Sequence, residues 1–384
     1  MMEYVKLKDI TLSTQYGYTA DETSKTEGVY KYLRITDIVP YFVNFETVPF
    51  CSIPQNKVEQ YLVREGDVLI ARTGATTGYN YVVSKGVNNT VYASYLIRFN
   101  LDKSKILPSY LKYVLKSKTY YGFVNNYIGG SAQPGMNARI FGRFNVPYNT
   151  LSAQRRIASI LSAYDNLIEN NNRRIRLLEQ MAENLYKEWF VRFRFPGHEK
   201  AEFENGLPKS WKVEKVKSIV KRLPFNRTYK EYELEKQGAV IVIDQSTDDS
   251  LGYHNNEPSH YANYDNPLLL FGDHSCKFQL MTRNFSLGEN VIPFTTNSKS
   301  RINEYWLFYA THKLIQTEEY KRHWGRFVSI KVLVPDIKIQ LRFENIVKTF
   351  EREKNQLLKQ NTLLSRQRDL LLPRLMSGKL EVKA

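Results

Sequence analysis

Residues 157–189 read IASILSAYDNLIENNNRRIRLLEQMAENLYKEW. Within them Ile157, Leu161, Tyr164, Ile168, Asn171, Ile175, Leu178, Ala182, Leu185 and Trp189 recur at alternating steps of four and three. That is the spacing of a heptad seam along one helical face. One seam position is the central residue of Asn170-Asn171-Asn172, and asparagine is both a mediocre helix former and an awkward core residue. A helix this long extends about 50 Å and cannot bury its seam against a small domain. It needs a partner of its own length.

The same chain supplies that partner. A shift of 186 residues gives Phe343, Val347, Phe350, Lys354, Leu357, Asn361, Leu364, Arg368, Leu371 and Leu375, a second seam in the same phase. Each helical stretch follows a β-like run ending in Val-Pro, Val146-Pro147 and Val334-Pro335. Ahead of the first lie KYLRITDI, DVLIART and YASYLIRF, then the amphipathic candidate SYLKYVLKSKTYYGFV; ahead of the second lie GAVIVIDQS, NPLLLFGDH and GENVIPFTT, then EYWLFYATHKLIQTEEYKRHW. Strand-rich domain, late helix, Val-Pro strand and long helix therefore occur twice.

The expected fold class is α+β: two strand-rich α/β domains separated by two long helices that form an antiparallel coiled coil, with pseudo-twofold symmetry. The boundaries fall at 1–147 for the first domain, 148–195 for the first helix, 196–334 for linker and second domain, and 335–384 for the second helix and tail. Pro196, Gly197, Gly206 and Pro208 mark the linker. Antiparallel pairing about the seam midpoint sets Asn171 opposite Asn361. There a buried Asn–Asn hydrogen bond would pin register and orientation at some cost in stability; otherwise both asparagines face solvent from an imperfect seam.

Composition narrows the function. A chain of 384 residues exceeds one ordinary core. Its net charge of +16 favours a polyanionic partner, nucleic acid above all. The 27 tyrosines suit base stacking, or ordinary β-structure. Cys51 and Cys276, the two cysteines, form no disulfide framework, which points to a reducing compartment. No apolar run approaches the roughly 18 residues of a membrane span and MMEYVKLKDI lacks a signal core. A cytoplasmic protein is expected.

Taken together, the two variable domains and two similar helices resemble the specificity (S) subunits of type I restriction–modification systems, over essentially the whole chain. The resemblance is carried by REGDVLIARTGATTG (64–78), GGSAQPGMNARIFGRFNVP (129–147), LSAQRRIASILSAYDNLIENNNRRIRLLEQMAENLYKEWFVRFRFPG (151–197), GLPKSW (206–211), LLLFGDHSCKF (268–278) and RDLLLPRLMSGKLEV (368–382). It implies that each domain is a target recognition domain for one half of a bipartite double-stranded DNA sequence. It implies further that the coiled coil spaces the domains and docks two methyltransferase (modification) subunits, with restriction subunits joining some complexes. S-adenosylmethionine, ATP and Mg would belong to those partners, and this chain would hold no cofactor and perform no catalysis. A rod of about 50 Å can hold two readers about one DNA turn apart, ~34–36 Å. Domains of different sequence would read an asymmetric target.

Candidate DNA contacts follow. Arg72, Thr73, Gly74, Thr76 and Thr77 combine a guanine-reading cation with hydroxyls and a permissive glycine, or form an ordinary turn with Arg72 in a structural ion pair. Gln133, Asn137 and Arg139 lie in a glycine-rich loop where amide side chains could read adenine, or where the chain merely closes the domain. In the second half His274, Ser275 and Lys277 occupy the corresponding loop, with Asn297, Lys299 and Arg301 next and then His323, Trp324 and Arg326; a structural turn is the alternative. HWGRF replaces the SAQPG loop there. His274 and Cys276, with His254 and His260 upstream, lack paired metal-ligand spacing, so no metal is expected. Beside the seams, Ile160, Leu167, Leu177, Tyr186, Ile346, Leu363 and Leu370 either widen the coiled-coil core or form apolar flanks for partner helices.

A competing reading is a catalytic nuclease or a single-chain restriction–methylation enzyme. Asp336-Ile337-Lys338 has the D-x-K form, but no matching upstream acid accompanies it. Methyltransferase Asn/Asp-Pro-Pro-Tyr/Phe, G-x-G-x-x-G and P-loop signatures are missing from the sequence.

Overall fold

The computed structural model describes residues 3–380 apart from 24–27, 41, 129–134, 226, 247, 298–300 and 318–320. The chain forms two compact units, Met1–Asn171 with Gln360–Ala384, and Asn172–Lys359. Each unit owns part of both long helices, Leu151–Tyr186 and Ile337–Met376.

In the first unit Glu3–Lys6 pairs antiparallel with Asn145–Tyr148, the Val-Pro strand. A four-stranded antiparallel sheet follows in the order Thr11–Tyr16, Leu96–Leu101, Val68–Ala71, Asn80–Val82. A three-stranded sheet has Tyr30–Leu33 between Phe50–Cys51 and the parallel Thr90–Tyr92. The second unit repeats this arrangement. Lys212–Lys215 pairs with Lys331–Val334; the four-stranded sheet runs Val220–Arg222, Val291–Thr296, Leu268–Gly272, Phe278–Met281, and the three-stranded sheet has Val240–Ile243 between Gly252–His254 and the parallel Phe285–Leu287. The duplication read from the helices thus extends through both sheets.

The late helices depart from the expected runs. Residues 109–124 divide into Pro108–Val114 and Lys118–Ile128, because the Ser117 hydroxyl accepts the Tyr120 N–H at 3.2 Å and starts a new helix. In the second unit the helix is only Glu304–Thr311. Trp324–Ser329 is a separate turn of helix, begun where buried Asp273 accepts the N–H groups of His323 (3.2 Å) and Trp324 (2.9 Å). The linker is structured as well: Phe190, Phe193 and Phe195 ring Trp211 at centroid distances of 5.9, 5.4 and 5.3 Å.

A buried glutamine joins domain to helix in each unit. Gln154 accepts the Leu107 N–H at 2.8 Å and donates to the carbonyls of Lys105 (3.1 Å) and Asn149 (2.8 Å). Gln340, its repeat equivalent, accepts the Asn303 N–H at 2.9 Å and donates to Pro335 O at 2.7 Å. Each amide satisfies backbone groups at the start of the late helix and at the Val-Pro exit, groups that burial would otherwise leave unpaired.

Every seam position of the first helix is buried or half-buried, and so is every one of the second. Within the first unit Asn171 Nδ2 donates to Asn361 Oδ1 at 2.9 Å. Also there, Arg368, a cation at a seam position, reaches Asp165 Oδ1 at 2.9 Å, while Lys112 and the Tyr113 hydroxyl both donate to Oδ2 at 2.7 Å. In the second unit the seam cation Lys354 pairs with Glu351 at 2.8 Å and Arg174 with Glu353 at 2.5 Å. The pairings 165–368 with 171–361, and 174–353 with Tyr186–Phe343 at 6.3 Å, run antiparallel within each unit.

Candidate nucleic-acid interface

In the first unit the candidate residues converge on one end of the four-stranded sheet, where Ala71 pairs with Leu96 and Tyr16 with Ile97. Arg72 follows directly, its N–H on Tyr95 O (3.0 Å) and its carbonyl accepting the Met136 N–H (2.8 Å); a bridge joins Thr73 to Gly135. The two glycine-containing loops are therefore tied together. The Arg72 guanidinium donates from Nε to Ser94 O at 3.3 Å and lies 5.1 Å from the ring centre of Tyr16. Among the described residues no acid pairs with Arg72, so a cation–π contact takes the place of a structural ion pair.

The loop residues divide into scaffold and surface. Gly74 turns at φ +74 and Gly78 at φ +90. Thr77 is buried, its hydroxyl donating to Gly74 O at 2.7 Å, whereas Thr73 and Thr76 are half-buried. Asn137 and Arg139 are exposed. Asn137 Oδ1 caps the short helix Ala138–Phe141 by accepting the Ile140 N–H at 3.0 Å, and the Tyr16 hydroxyl accepts the Ala138 N–H at 3.4 Å. A groove of about 550 Å³ runs here, lined by Lys8, Thr14, Tyr16, Asn137 and Arg139 among others. Gln133 lies outside the described residues.

In the second unit the matching sheet end is where Gly272 pairs with Val291. The position equivalent to Arg72 is Asp273, spent on anchoring His323 and Trp324. His274 takes Gln245 Oε1 on its N–H at 3.2 Å, and the Ser275 carbonyl accepts from Thr317 at 2.7 Å. Lys277 donates to Asp248 O, and burial holds its pKa below the usual lysine range. Asn297 and Arg301 belong elsewhere. Asn297 N–H bonds to Ile219 O at 2.7 Å, at the opposite end of the sheet, and Arg301 lines a cleft with Asp336 and Ser210. Asp336 itself accepts the Ser210 hydroxyl at 2.7 Å. Lys299 is outside the described residues.

The comparisons with known proteins bear on this arrangement. Residues 1–180 match the family model of the type I restriction modification DNA specificity domain. The chain is 26% identical over 309 residues to the type I restriction enzyme MjaIX specificity subunit of Methanocaldococcus jannaschii, covering 74% of this chain and 71% of that one. It is 23% identical to the putative MjaX specificity subunit of the same organism, covering 99% of this chain and 94% of that one. The crystal structure of a type I restriction–modification S subunit from M. genitalium superimposes with a TM-score of 0.60 over 98% of this chain and 96% of that one, at 17% identity; it shares the fold. In sequence and in fold the chain is similar to type I restriction–modification specificity subunits.

Other surfaces of this protein fall into place around the long helices. Ile160 and Tyr186, expected as flanking positions, are half-buried against the unit cores. Leu167 (51%), Leu177 (48%), Ile346 (37%), Leu363 (59%) and Leu370 (58%) stay exposed, as does Met181 (50%), which sequence reading passed over. In heptad phase all of these exposed positions are g or c, one flank of each seam, and the second helix also exposes Leu341 and Leu358 on its other flank. Cys51 and Cys276 are free, buried thiols. No helix among the described residues is long and apolar enough to cross a membrane. Among those residues no group of three or more His, Cys, Asp or Glu is placed to hold a metal.

Tyr16, Arg222, Gln154 and Gln340 were not singled out in the sequence. The glutamines had a signal, being 186 residues apart in the same phase as the seam. Tyr16 and Arg222 had none beyond their type.

Proposed function

We propose that this chain is a type I specificity subunit that reads an asymmetric, bipartite double-stranded DNA target, one half with each unit, and docks two modification subunits on the apolar flanks of its long helices. One observation carries the reading: the same sheet end, in two units of the same topology, bears different chemistry. The first has Arg72 on Tyr16; the second has Asp273 in the Arg72 place and Arg222 over Trp324 at 5.6 Å. Equal scaffolds with unequal reading groups suit two different half-sites. The net charge of +16 supplies the phosphate attraction and the loop residues the discrimination. Leu167, Leu363 and Leu370 in one unit, and Leu177, Met181 and Ile346 in the other, would receive partner helices. The subunit works in the cytoplasm without catalysis of its own; S-adenosylmethionine, ATP and Mg belong to the modification and restriction subunits.

The test is co-expression with a modification partner in a host free of adenine methylation, followed by sequencing of modified adenines. A two-part asymmetric motif is expected, and none from the chain alone. Methylation or cleavage of DNA by the purified chain would favour the catalytic alternative. Affinity should also fall steeply between low and moderate salt; salt-independent binding would remove the phosphate term.

A further inference from the structure

Five arginines among the described residues lie over tyrosine or tryptophan rings: Arg72 on Tyr16, Arg98 on Tyr92, Arg222 on Trp324, Arg227 on Tyr229 and Arg352 on Tyr264. Three of them also pair with a carboxylate. Arg98 is 3.7 Å from Asp67, Arg227 is 2.6 Å from Glu233 and Arg352 is 4.0 Å from Asp265. Their charge is answered within the fold. Among the described residues no acid pairs with Arg72 or Arg222, one in each unit, and both lie at the same end of the equivalent sheet.

The register makes the equivalence explicit. Arg222 pairs with Phe294, and the next N–H, from Leu223, bonds to Pro293 O at 2.9 Å. The strand thus runs toward the Gly272–Val291 end, where the 273–277 loop begins. Arg222 is exposed, with its guanidinium carbon 5.6 Å from the Trp324 ring centre and 5.8 Å from that of Phe225. The Trp324 indole is itself held by Phe294 and Phe327 at 5.3 Å and by Phe271 at 5.7 Å. A cation–π contact with a fixed ring restricts the guanidinium, and the exposed side chain keeps N–H donors available for a bidentate acceptor.

We propose that Arg222, held on the indole of Trp324, reads a guanine in the half-site of the second unit through bidentate hydrogen bonds to O6 and N7. This rests on the DNA-reading function proposed above. It places a reader of the second unit on the strand matching Thr11–Tyr16, apart from the loop candidate Lys277, whose ammonium is directed into the loop. Arginine forking onto guanine is the commonest specific base contact, and a guanidinium already held against a ring loses less freedom in making it.

The experiment is selection of randomised duplex DNA by the full chain in complex with its modification partner, comparing wild type with R222A, R222K and R322A. Wild type should yield a two-part motif. R222A should keep the first part and lose about tenfold or more of its discrimination at one G·C pair in the second. R222K should not restore it, because an ammonium cannot fork. R322A removes an exposed arginine 3.8 Å from Asp273 and should leave the motif intact. Unchanged selectivity in R222A, loss in R322A instead, or uniform weakening rescued by R222K would each overturn the assignment and leave the subunit's function standing. A wild-type complex that selects no motif would overturn that function itself.

Discussion

Asn171 Nδ2 donates to Asn361 Oδ1 at 2.9 Å, and Gln360 Oε1 lies 3.4 Å from the same nitrogen. A seam that is otherwise mostly apolar thus closes through an amide pair. Substituting one partner removes the cross-helix hydrogen bond, so Asn171→Leu should destabilise by about 0.5–1.5 kcal/mol. The double variant Asn171→Leu/Asn361→Leu should recover most of that loss, because two apolar side chains pack against each other across the seam. Urea denaturation of the four members of the cycle measures the coupling; additive single effects would mean the bond contributes nothing specific.

Asp165 gathers Arg368, Lys112 and Tyr113 within 2.9 Å. Burial alone would raise its pKa, but the Lys112 charge and the hydrogen bonds from Lys112, Tyr113 and Arg368 hold it below the usual carboxylate value. A carboxylate lowered on folding contributes stability that is present above its unfolded pKa of about 4 and lost as pH falls through the folded value. Asp165→Asn should therefore cost about 3–5 kcal/mol at neutral pH and flatten the acid limb of the stability curve. Circular dichroism melts between neutral and strongly acid pH check both effects.

Lys116 titrates in the opposite sense. Burial first, then the nearby Lys112 charge, lowers its pKa to about 8, while its ammonium donates to Asn80 O at 3.0 Å. The unfolded chain holds this proton until about 10.5, so between these values the unfolded state binds more protons and stability rises with pH. Lys116→Met should remove that rise, a difference on the order of 2 kcal/mol between the two ends of the window. Urea midpoints at both ends for wild type and variant give the double difference. Parallel curves would place the titrating group elsewhere.

Gln154 and Gln340 are each fully buried and serve the same joint in the two repeats. Replacing either with alanine leaves buried backbone groups unpaired, at about 1–3 kcal/mol per group lost. Glutamate should be worse than alanine at either site, since it buries a charge beside carbonyl oxygens. The substitutions should act additively, because the two joints lie in different units and share no partner. Thermal unfolding of Q154A, Q340A and the double variant decides it.

Much of the architecture was legible from periodicity. The phase of Ile157 to Trp189 and its repeat 186 residues later are local properties of one strand of sequence, and they marked both helices, their seams and the facing asparagines. The first-unit loop around Arg72 was legible too, because cation, hydroxyls and glycines lie consecutively. Helix lengths in the late segments were less so: Ser117 and Asp273 begin new helices through side-chain hydrogen bonds that apolar patterning does not register.

What sequence alone determined here is whatever repeats: the twofold use of a strand-rich domain and a long helix, the burial phase of each seam, and the placing of Asn171 across from Asn361. What only the tertiary structure decided is which remote residues meet. Trp324 beneath Arg222, Asp273 beneath His323 and Trp324, Tyr16 beneath Arg72, and Arg368 on Asp165 each join groups from separate elements. The physical reason is that a periodic pattern states which face of an element turns inward, because burial acts on each residue separately. The partner that face will find depends on strand order and register, and those are settled only when the whole unit packs.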